Sequence, residues 1–369
     1  MQLGLVGLPN CGKSTLFGAL TGVKSGSAAH AFSTTDKSVG IVAVADERLV
    51  ELQKMYDAKK LVNTTIEFVD IPSLVKGSGD GAGLGNKFLS HIREVDGIVQ
   101  VVRCFEDENV MHVDGDLDPA RDMETIDLEL IFADMEQVAK RIEKVKKEAK
   151  SAKGAAAKDE IALLERVLAG LEDEKPVWSL PFTPDEAAAL AHYGLLTFKT
   201  MIYVANVGED DYAGADSHPH VLAMKKYLAN KYPGEEREVF VVSAQMEEEL
   251  IGMDEEEKTE FLAMIGATKS ATPKLTNAAY SSLGLMSFLT AGPKEVRGWT
   301  IKKGTPAKKA GGKIHSDIER GFIRAEVVNF DVLMEKGSYN ACKDAGVLRL
   351  EGKDYIIQEG DIVEFRFNV

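Results

Sequence analysis

Residues 7–14 read Gly7, Leu8, Pro9, Asn10, Cys11, Gly12, Lys13, Ser14 and fit G-x-x-x-x-G-K-[ST]. The chemistry this spacing supports is the capture of a chain of phosphates. The glycines let the backbone N–H groups of Asn10, Cys11, Gly12, Lys13, Ser14 and Thr15 curl around anionic oxygens, and a following helix aims its positive end at them. Lys13 then reaches the β- and γ-phosphates, and the Ser14 hydroxyl holds Mg²⁺. The motif carries this meaning only between a strand and a helix. Leu3, Leu5 and Val6 precede it, and Leu16, Phe17 and Leu20 follow it, as that context demands. A glycine-rich turn before an ordinary helix is the alternative.

Asp70 closes the apolar run from Ile66 to Val69. An aspartate at the carboxyl end of a neighbouring strand is where such proteins hold a Mg²⁺-bound water; a turn or helix cap is the blander reading. Thr34 and Thr35 stand between the first helix and Val39, where Thr34 would complete the Mg²⁺ shell once triphosphate binds. A solvated loop threonine is the alternative there. Gly77, Gly79, Gly81, Gly83 and Gly85 crowd a stretch too glycine-rich for a regular element, suited to a segment that orders beside a γ-phosphate.

The base is read at another corner. Guanine-specific proteins of this class carry Asn-Lys-x-Asp after a later strand, and the Asp accepts from guanine N1–H and the exocyclic amine. Here the strand pattern Thr200–Ala205 is followed by Asn206, Val207, Gly208 and Glu209. The lysine is missing and the carboxylate is one methylene longer. Adenine offers that carboxylate no N1 donor, while Asn206 could still accept from the N6 amine. Altering this corner relaxes or reverses the choice of base. Ser243 and Ala244, after a further strand, fit the loop that flanks the base.

These residues need a scaffold. Strand patterns at 2–6, 39–45, 65–69, 98–102, 200–205 and 238–242 alternate with helical ones such as 220–231, which predicts an α/β domain with a mostly parallel sheet. An interruption carries Ile131, Met135, Val138, Ile142, Val145 and Ala149, then Ile161, Leu164, Leu168 and Leu171, at steps of three and four. Two heptad-like helices joined by small residues predict an antiparallel hairpin, which their charged flanks suggest projects as an arm; a pair of ordinary helices packed in the main domain is the alternative. From Leu283 onward, strand patterns at 296–301, 323–328, 354–357 and 362–367 and a helix at 330–335 predict a small α+β module. The expected division is therefore 1–122 with 198–279, an insertion at 123–197, and a module at 280–369.

Bulk properties set limits. At 369 residues the chain has room for two or three domains. No apolar run reaches the roughly 18 residues a membrane span needs. The first strand starts beside Met1, so no targeting segment is expected before it. Cys11, Cys104 and Cys342 match no metal or redox spacing, and a disulfide at Cys11 would obstruct the phosphate loop. A reducing, cytoplasmic setting is expected. The net charge of −15 argues against non-specific wrapping of nucleic acid, and sequence-specific DNA binding is not expected. The charge is uneven, with 14 Lys/Arg against 12 Asp/Glu from Tyr280 onward and 30 against 47 before it. Lys140, Arg141, Lys144, Lys146, Lys147 and Lys150 form a separate basic run, which reads either as an RNA-facing surface or as a solvated helix face.

Together these residues resemble the YchF/Obg-like ATPase family of P-loop proteins. The resemblance runs through Gly7–Leu20, Phe68–Ile71, Gly83–Leu89, Val101–Phe105, Asn206–Glu209, Gly352–Tyr355, Gly360–Ile362 and the closing Phe365–Val369. It implies a nucleotide domain split by a helical hairpin, a C-terminal ubiquitin-like TGS module, ATP preferred over GTP, and association with ribosomes through rRNA and ribosomal proteins. It also implies that His112 replaces the water-orienting Gln, whose place Leu74 holds and cannot fill. Leu74 and the lack of an identifiable arginine finger imply slow hydrolysis. Ser73 stands where the family pattern has Gly, which puts the switching of that segment in question. Two rival readings remain: a nucleotide-gated ribosome-binding adaptor with little hydrolysis, and a conventional GTPase.

Overall fold

The structure is a computed structural model that describes residues 1–24, 37–74, 83–112, 115–149 and 154–368. In chain order it forms β1 (Gln2–Val6), α1 (Lys13–Thr21), β2 (Ser38–Val44), α2 (Glu47–Tyr56), β3 (Leu61–Val62) and β4 (Thr64–Asp70). Next come α3 (Gly83–Glu94), β5 (Gly97–Arg103), α4 (Pro119–Ala149), α5 (Gly154–Glu172), α6 (Pro184–Ala191), β6 (Thr200–Asn206) and α7 (Pro219–Lys231). They are followed by β7 (Val239–Val242), α8 (Ala244–Glu249), α9 (Glu255–Met264), α10 (Thr272–Ser282), β8 (Leu285–Ala291) and β9 (Val296–Lys302). The chain ends in α11 (Ala307–Ile314), α12 (Ser316–Arg320), β10 (Phe322–Asn329), α13 (Phe330–Lys336), α14 (Tyr339–Asp344), β11 (Arg349–Glu351) and β12 (Asp361–Phe367).

The first compact unit takes in Met1–Gly40 and Glu67–Thr272. Its sheet has the order β2-β4-β1-β5-β6-β7, with β4, β1, β5, β6 and β7 mutually parallel. Every residue of β5 is buried, as a central strand covered on both faces must be. The chain leaves β1 with β4 on one side and β5 on the other. The carboxyl end of β1 is thus the point where strand order reverses, and such sheets place ligands there.

The long insertion is less separate than its heptad pattern suggests. The first half of α4 sends Met123 into a core with Val102, Cys104 and Tyr203, and Ile126 and Leu130 into another with Val6, Leu8 and Phe88. From Ile131 onward α4 packs with Leu164, Val167 and Leu171 of α5, as the three-and-four spacing requires. Buried Asp134 ties the returning chain to α4 by accepting from the N–H groups of Leu196 (2.8 Å) and Thr197 (2.7 Å) and from the Thr197 hydroxyl (2.7 Å). The residues expected to form an inserted domain therefore belong to the first compact unit.

The second unit joins Ile41–Ile66 to Pro273–Val369. Its sheet runs β11-β10-β12-β8-β9-β3, with β8/β9 and β10/β12 antiparallel. Leu49 and Leu52 of α2 pack with Leu289, Val296, Val328, Leu333 and Ile362. Arg48 clamps Asp46 with two bonds of 2.8 Å and reaches Glu359 at 2.6 Å. Residues 41–66, expected in the nucleotide domain, belong here. Two details of the module also differ from expectation. Segment 354–357 makes only an isolated bridge between Ile356 and Pro306, because the Tyr355 hydroxyl and the Gln358 N–H both turn back onto buried Asp361. Strand β8, which the sequence pattern does not predict, is central.

Candidate nucleotide site

The loop after β1 is shaped by two close approaches. A Cβ on Gly7 would stand 2.7 Å from the Val101 carbonyl oxygen, so no side chain fits there. Gly12 has φ +84° and would drive a side chain into the Asn206 amide, a backbone angle and a clearance that together require glycine. Asn10 also lies in the left-handed region, at φ 64°. Helix α1 begins at Lys13 with no acidic residue in its first turn, which leaves its positive end open to an anion. Cys11 is buried beneath the loop, and that burial pushes its thiol up to about 11, against the pull of Lys13. Thr15 follows half-buried in the first turn.

Lys13, Ser14 and Asp70 come together as their spacing predicts. The Lys13 ammonium, 5% exposed, pairs with Asp70 Oδ1, and Ser14 Oγ donates to Asp70 Oδ2 at 2.8 Å. A hydroxyl and a carboxylate side by side are the hard oxygen donors that Mg²⁺ prefers, so this pair fits that ion. Thr34 and Thr35 lie outside the described residues.

The base corner is built by one amide. Asn206, 3% exposed, donates from Nδ2 to the Cys11 carbonyl (2.9 Å) and accepts at Oδ1 from the Ala244 N–H (2.9 Å). It ties the phosphate loop to the loop after β7. The sequence suggests that oxygen as a partner for the N6 amine; the structure gives it first to Ala244. Val207 is buried, with its N–H on the Val242 carbonyl at 2.9 Å. Ser243 is buried and caps α8 through the Met246 N–H at 3.4 Å. Glu209 is half-buried. Burial, then Glu249, then Asp210 hold its carboxyl above the usual carboxylate range.

His112 lies in the loop after β5, which two residues missed by sequence reasoning organise. Arg103, the one charged residue of β5, donates to the carbonyls of Phe105 (3.1 Å) and Val110 (2.9 Å), with its guanidinium 4.5 Å over the Phe105 ring. Asp122, in the first turn of α4, sits 2.9 Å from His112 Nε2, and both side chains are about 5% exposed. Asn10 Nδ2 donates to the Met111 carbonyl at 3.1 Å, which joins the phosphate loop to the residue before His112. A lone charge closing an otherwise uncharged strand was the available signal for Arg103; Asp122 left none.

Ser73 takes no positive φ, so the substitution for glycine introduces no left-handed strain. Leu74 is buried with Val6, Leu8, Val69, Ile71, Phe88 and Ile92, and its N–H reaches the Gly7 carbonyl at 3.4 Å. Its side chain is core. The glycine-rich segment is expected to lack regular structure, yet α3 already begins at Gly83.

Residues 2–153 match the MMR_HSR1 family, described as a 50S ribosome-binding GTPase, and residues 285–368 match the YchF-GTPase_C family, described as a protein of unknown function. The chain is 49% identical over 369 residues to the ribosome-binding ATPase YchF of Bacillus subtilis, covering all of both proteins. It is 40% identical to Obg-like ATPase 1 of Rattus norvegicus, covering all of this chain and 92% of that one. The structure of the Schizosaccharomyces pombe YchF GTPase superposes with a TM-score of 0.87 at 37% identity, over 99% of this chain and 97% of that one. Identity at this level along the full length, together with a phosphate loop whose lysine and serine meet a strand-end aspartate, makes the chain a member of the YchF/Obg-like ATPase family.

Proposed function

We propose that the protein binds ATP with Mg²⁺, hydrolyses it slowly to ADP and phosphate, and associates with ribosomes in the cytoplasm. The observation that carries the nucleotide chemistry is the convergence of Lys13, Ser14 and Asp70 at the carboxyl end of β1. Lys13 engages the β- and γ-phosphates, and the N–H groups from Asn10 to Thr15 receive the remaining oxygens. Ser14 and Asp70, with Thr34, would hold Mg²⁺, which would supply positive charge to the phosphates. His112 orients the attacking water, and Asp122 fixes the ring that does so. The rate is modest because the Leu74 side chain is core and cannot orient water. The bacterial relative's name supports the ribosome and ATPase readings, and the rat relative's name supports the ATPase reading. The fission-yeast relative is called a GTPase, which keeps the GTPase reading as the alternative.

The test is Lys13→Ala against Ser14→Ala in the full-length protein. Lys13→Ala is expected to abolish measurable triphosphate binding and phosphate release, whereas Ser14→Ala keeps part of the affinity and loses its Mg²⁺ dependence. Unchanged affinity in the lysine variant would contradict the reading. Phosphate release that stays at background in the native protein, even with ribosomes, would favour a binding adaptor.

A further inference from the structure

The geometry points to Arg103 as a positioning residue for hydrolysis: it gives the loop between β5 and α4 the shape that lets His112 aim the attacking water. The role rests on the readings proposed above for ATP and for His112, and it names the group on which the histidine's placement depends.

Little else shapes the first part of this loop. The side chains from Glu106 to Asn109 are exposed and Met111 is 82% exposed, so no apolar core fixes the path of the chain. A turn is closed locally by the Val110 N–H on the Asp107 carbonyl at 3.2 Å and by the Asn109 N–H on Asp107 Oδ1 at 2.8 Å. Those bonds hold the turn together without tying it to the sheet. Arg103 supplies the tie. Its Nε donates to the Phe105 carbonyl at 3.1 Å, Nη1 to Val110 at 2.9 Å and, more distantly, Nη2 to Asp107 at 3.5 Å. The same guanidinium lies 4.5 Å over the Phe105 ring. Three carbonyls from both ends of the turn thus converge on one planar group. A guanidinium has five N–H donors in a fixed fork for this, whereas an ammonium has three on a single atom.

The charge is spent in an unusual way. Arg103 closes the central strand β5 and is 4% exposed, and among the described residues no carboxylate pairs with it. Glu106, Asp107 and Glu108 are close in sequence, yet only main-chain oxygens receive its bonds. Burying a charge is costly unless its donors are answered, so stability alone gives a strand end no reason to carry one. The loop it shapes leads directly to the site. Beyond Val110, the Met111 carbonyl is held by Asn10 of the phosphate loop at 3.1 Å, and His112 Nε2 stands 2.9 Å from Asp122. These two anchors fix the end of the path; Arg103 fixes the path that delivers His112 to them.

The experiment is single-turnover phosphate release from saturating Mg-ATP by full-length Arg103→Lys, His112→Ala and the double variant, with ATP affinity and the urea midpoint measured for each. Arg103→Lys keeps the charge and loses the fork. It is expected to slow release by about tenfold or more, and by no more than His112→Ala does, with ATP affinity kept within about twofold. Because Arg103 acts through His112, adding Arg103→Lys to His112→Ala should slow release no further. Arg103→Gln leaves no charge to bury and carries the same test where the lysine variant loses its fold. A native rate in the folded Arg103 variants, even with a lowered urea midpoint, would make the arginine purely structural and overturn the role. So would a full further loss in the double variant, or a loss of affinity in parallel with rate, and each would leave His112 in place. A native rate in His112→Ala would overturn the His112 reading and the positioning role together.

Discussion

Asp122 turns His112 from a loop histidine into an oriented one. A carboxylate 2.9 Å from Nε2, with both groups buried, holds the ring in one attitude, and Asn10 holds the preceding carbonyl to the phosphate loop. We expect His112→Ala to lower single-turnover phosphate release by about 10²-fold while ATP affinity stays nearly constant, the pattern of a contact made only in the transition state. Asp122→Asn should lower the rate in the same direction by a smaller factor, again with affinity kept. Parallel loss of rate and affinity would make the loop a structural element. At this scale the sequence is most readable where residues lie close together or end a strand. Lys13 and Ser14 are adjacent, and Asp70 ends an apolar run, so their meeting follows from the motif. Asp122 pairs with His112 from ten residues away, across sequence with no periodicity. The Asn206 amide is spent on two loops far apart in sequence, which only the fold brings together.

Among the elements, α4 does the most to connect the site with the rest of its unit. Its first turn carries Asp122, its first half packs on the nucleotide-site cores, and its second half pairs with α5. Asp134 is the fastening between them. Burial raises its carboxyl above the usual range while three hydrogen bonds from Leu196 and Thr197 oppose that shift. Asp134→Ala would leave two buried backbone N–H groups without a partner, at about 2–4 kcal/mol in total. A drop in the urea midpoint with unchanged slope checks this; a loss below about 0.5 kcal/mol would show that other contacts fasten the return. Strand and helix patterns locate β1, β4, β5, β6, β7 and α7 to within a residue or two because parallel strands are continuous apolar runs. Segment 354–357 has strand-like residues as well, but the buried carboxylate of Asp361 gathers its neighbours into a turn. That competition is between side chain and backbone, and no window of residue types reveals it. Sequence order places residues 41–66 in the wrong unit for a related reason: they lie between two nucleotide-site motifs, while Leu49 and Leu52 find their core among residues beyond 285.

For the whole molecule, charge is the property that separates partners. The basic run on α4 is largely matched within the hairpin, with Arg141 on Glu160 at 2.6 Å, Lys146 on Glu165 at 2.7 Å, and Lys140 on Glu136. The C-terminal module carries Lys302 and Lys303 exposed, with Lys309 facing Glu319 at 2.6 Å. If ribosome association uses phosphate contacts, it weakens steeply with salt. Charge reversal of Lys302, Lys303 and Lys309 should then reduce co-sedimentation with ribosomes more than reversal of Lys140, Lys144 and Lys147. Co-sedimentation that survives both sets at moderate salt would rule out these patches as the RNA-facing surface. The proposed function makes this fold, with Asn206, Val207, Gly208 and Glu209 at its base corner, an ATP site. Its most direct test is side-by-side calorimetric titration of the full-length protein with Mg-ATP and Mg-GTP at neutral pH. We expect ATP to bind more tightly; GTP binding tenfold or more tighter than ATP, a difference of about 1.4 kcal/mol, would make the protein a GTP-binding one.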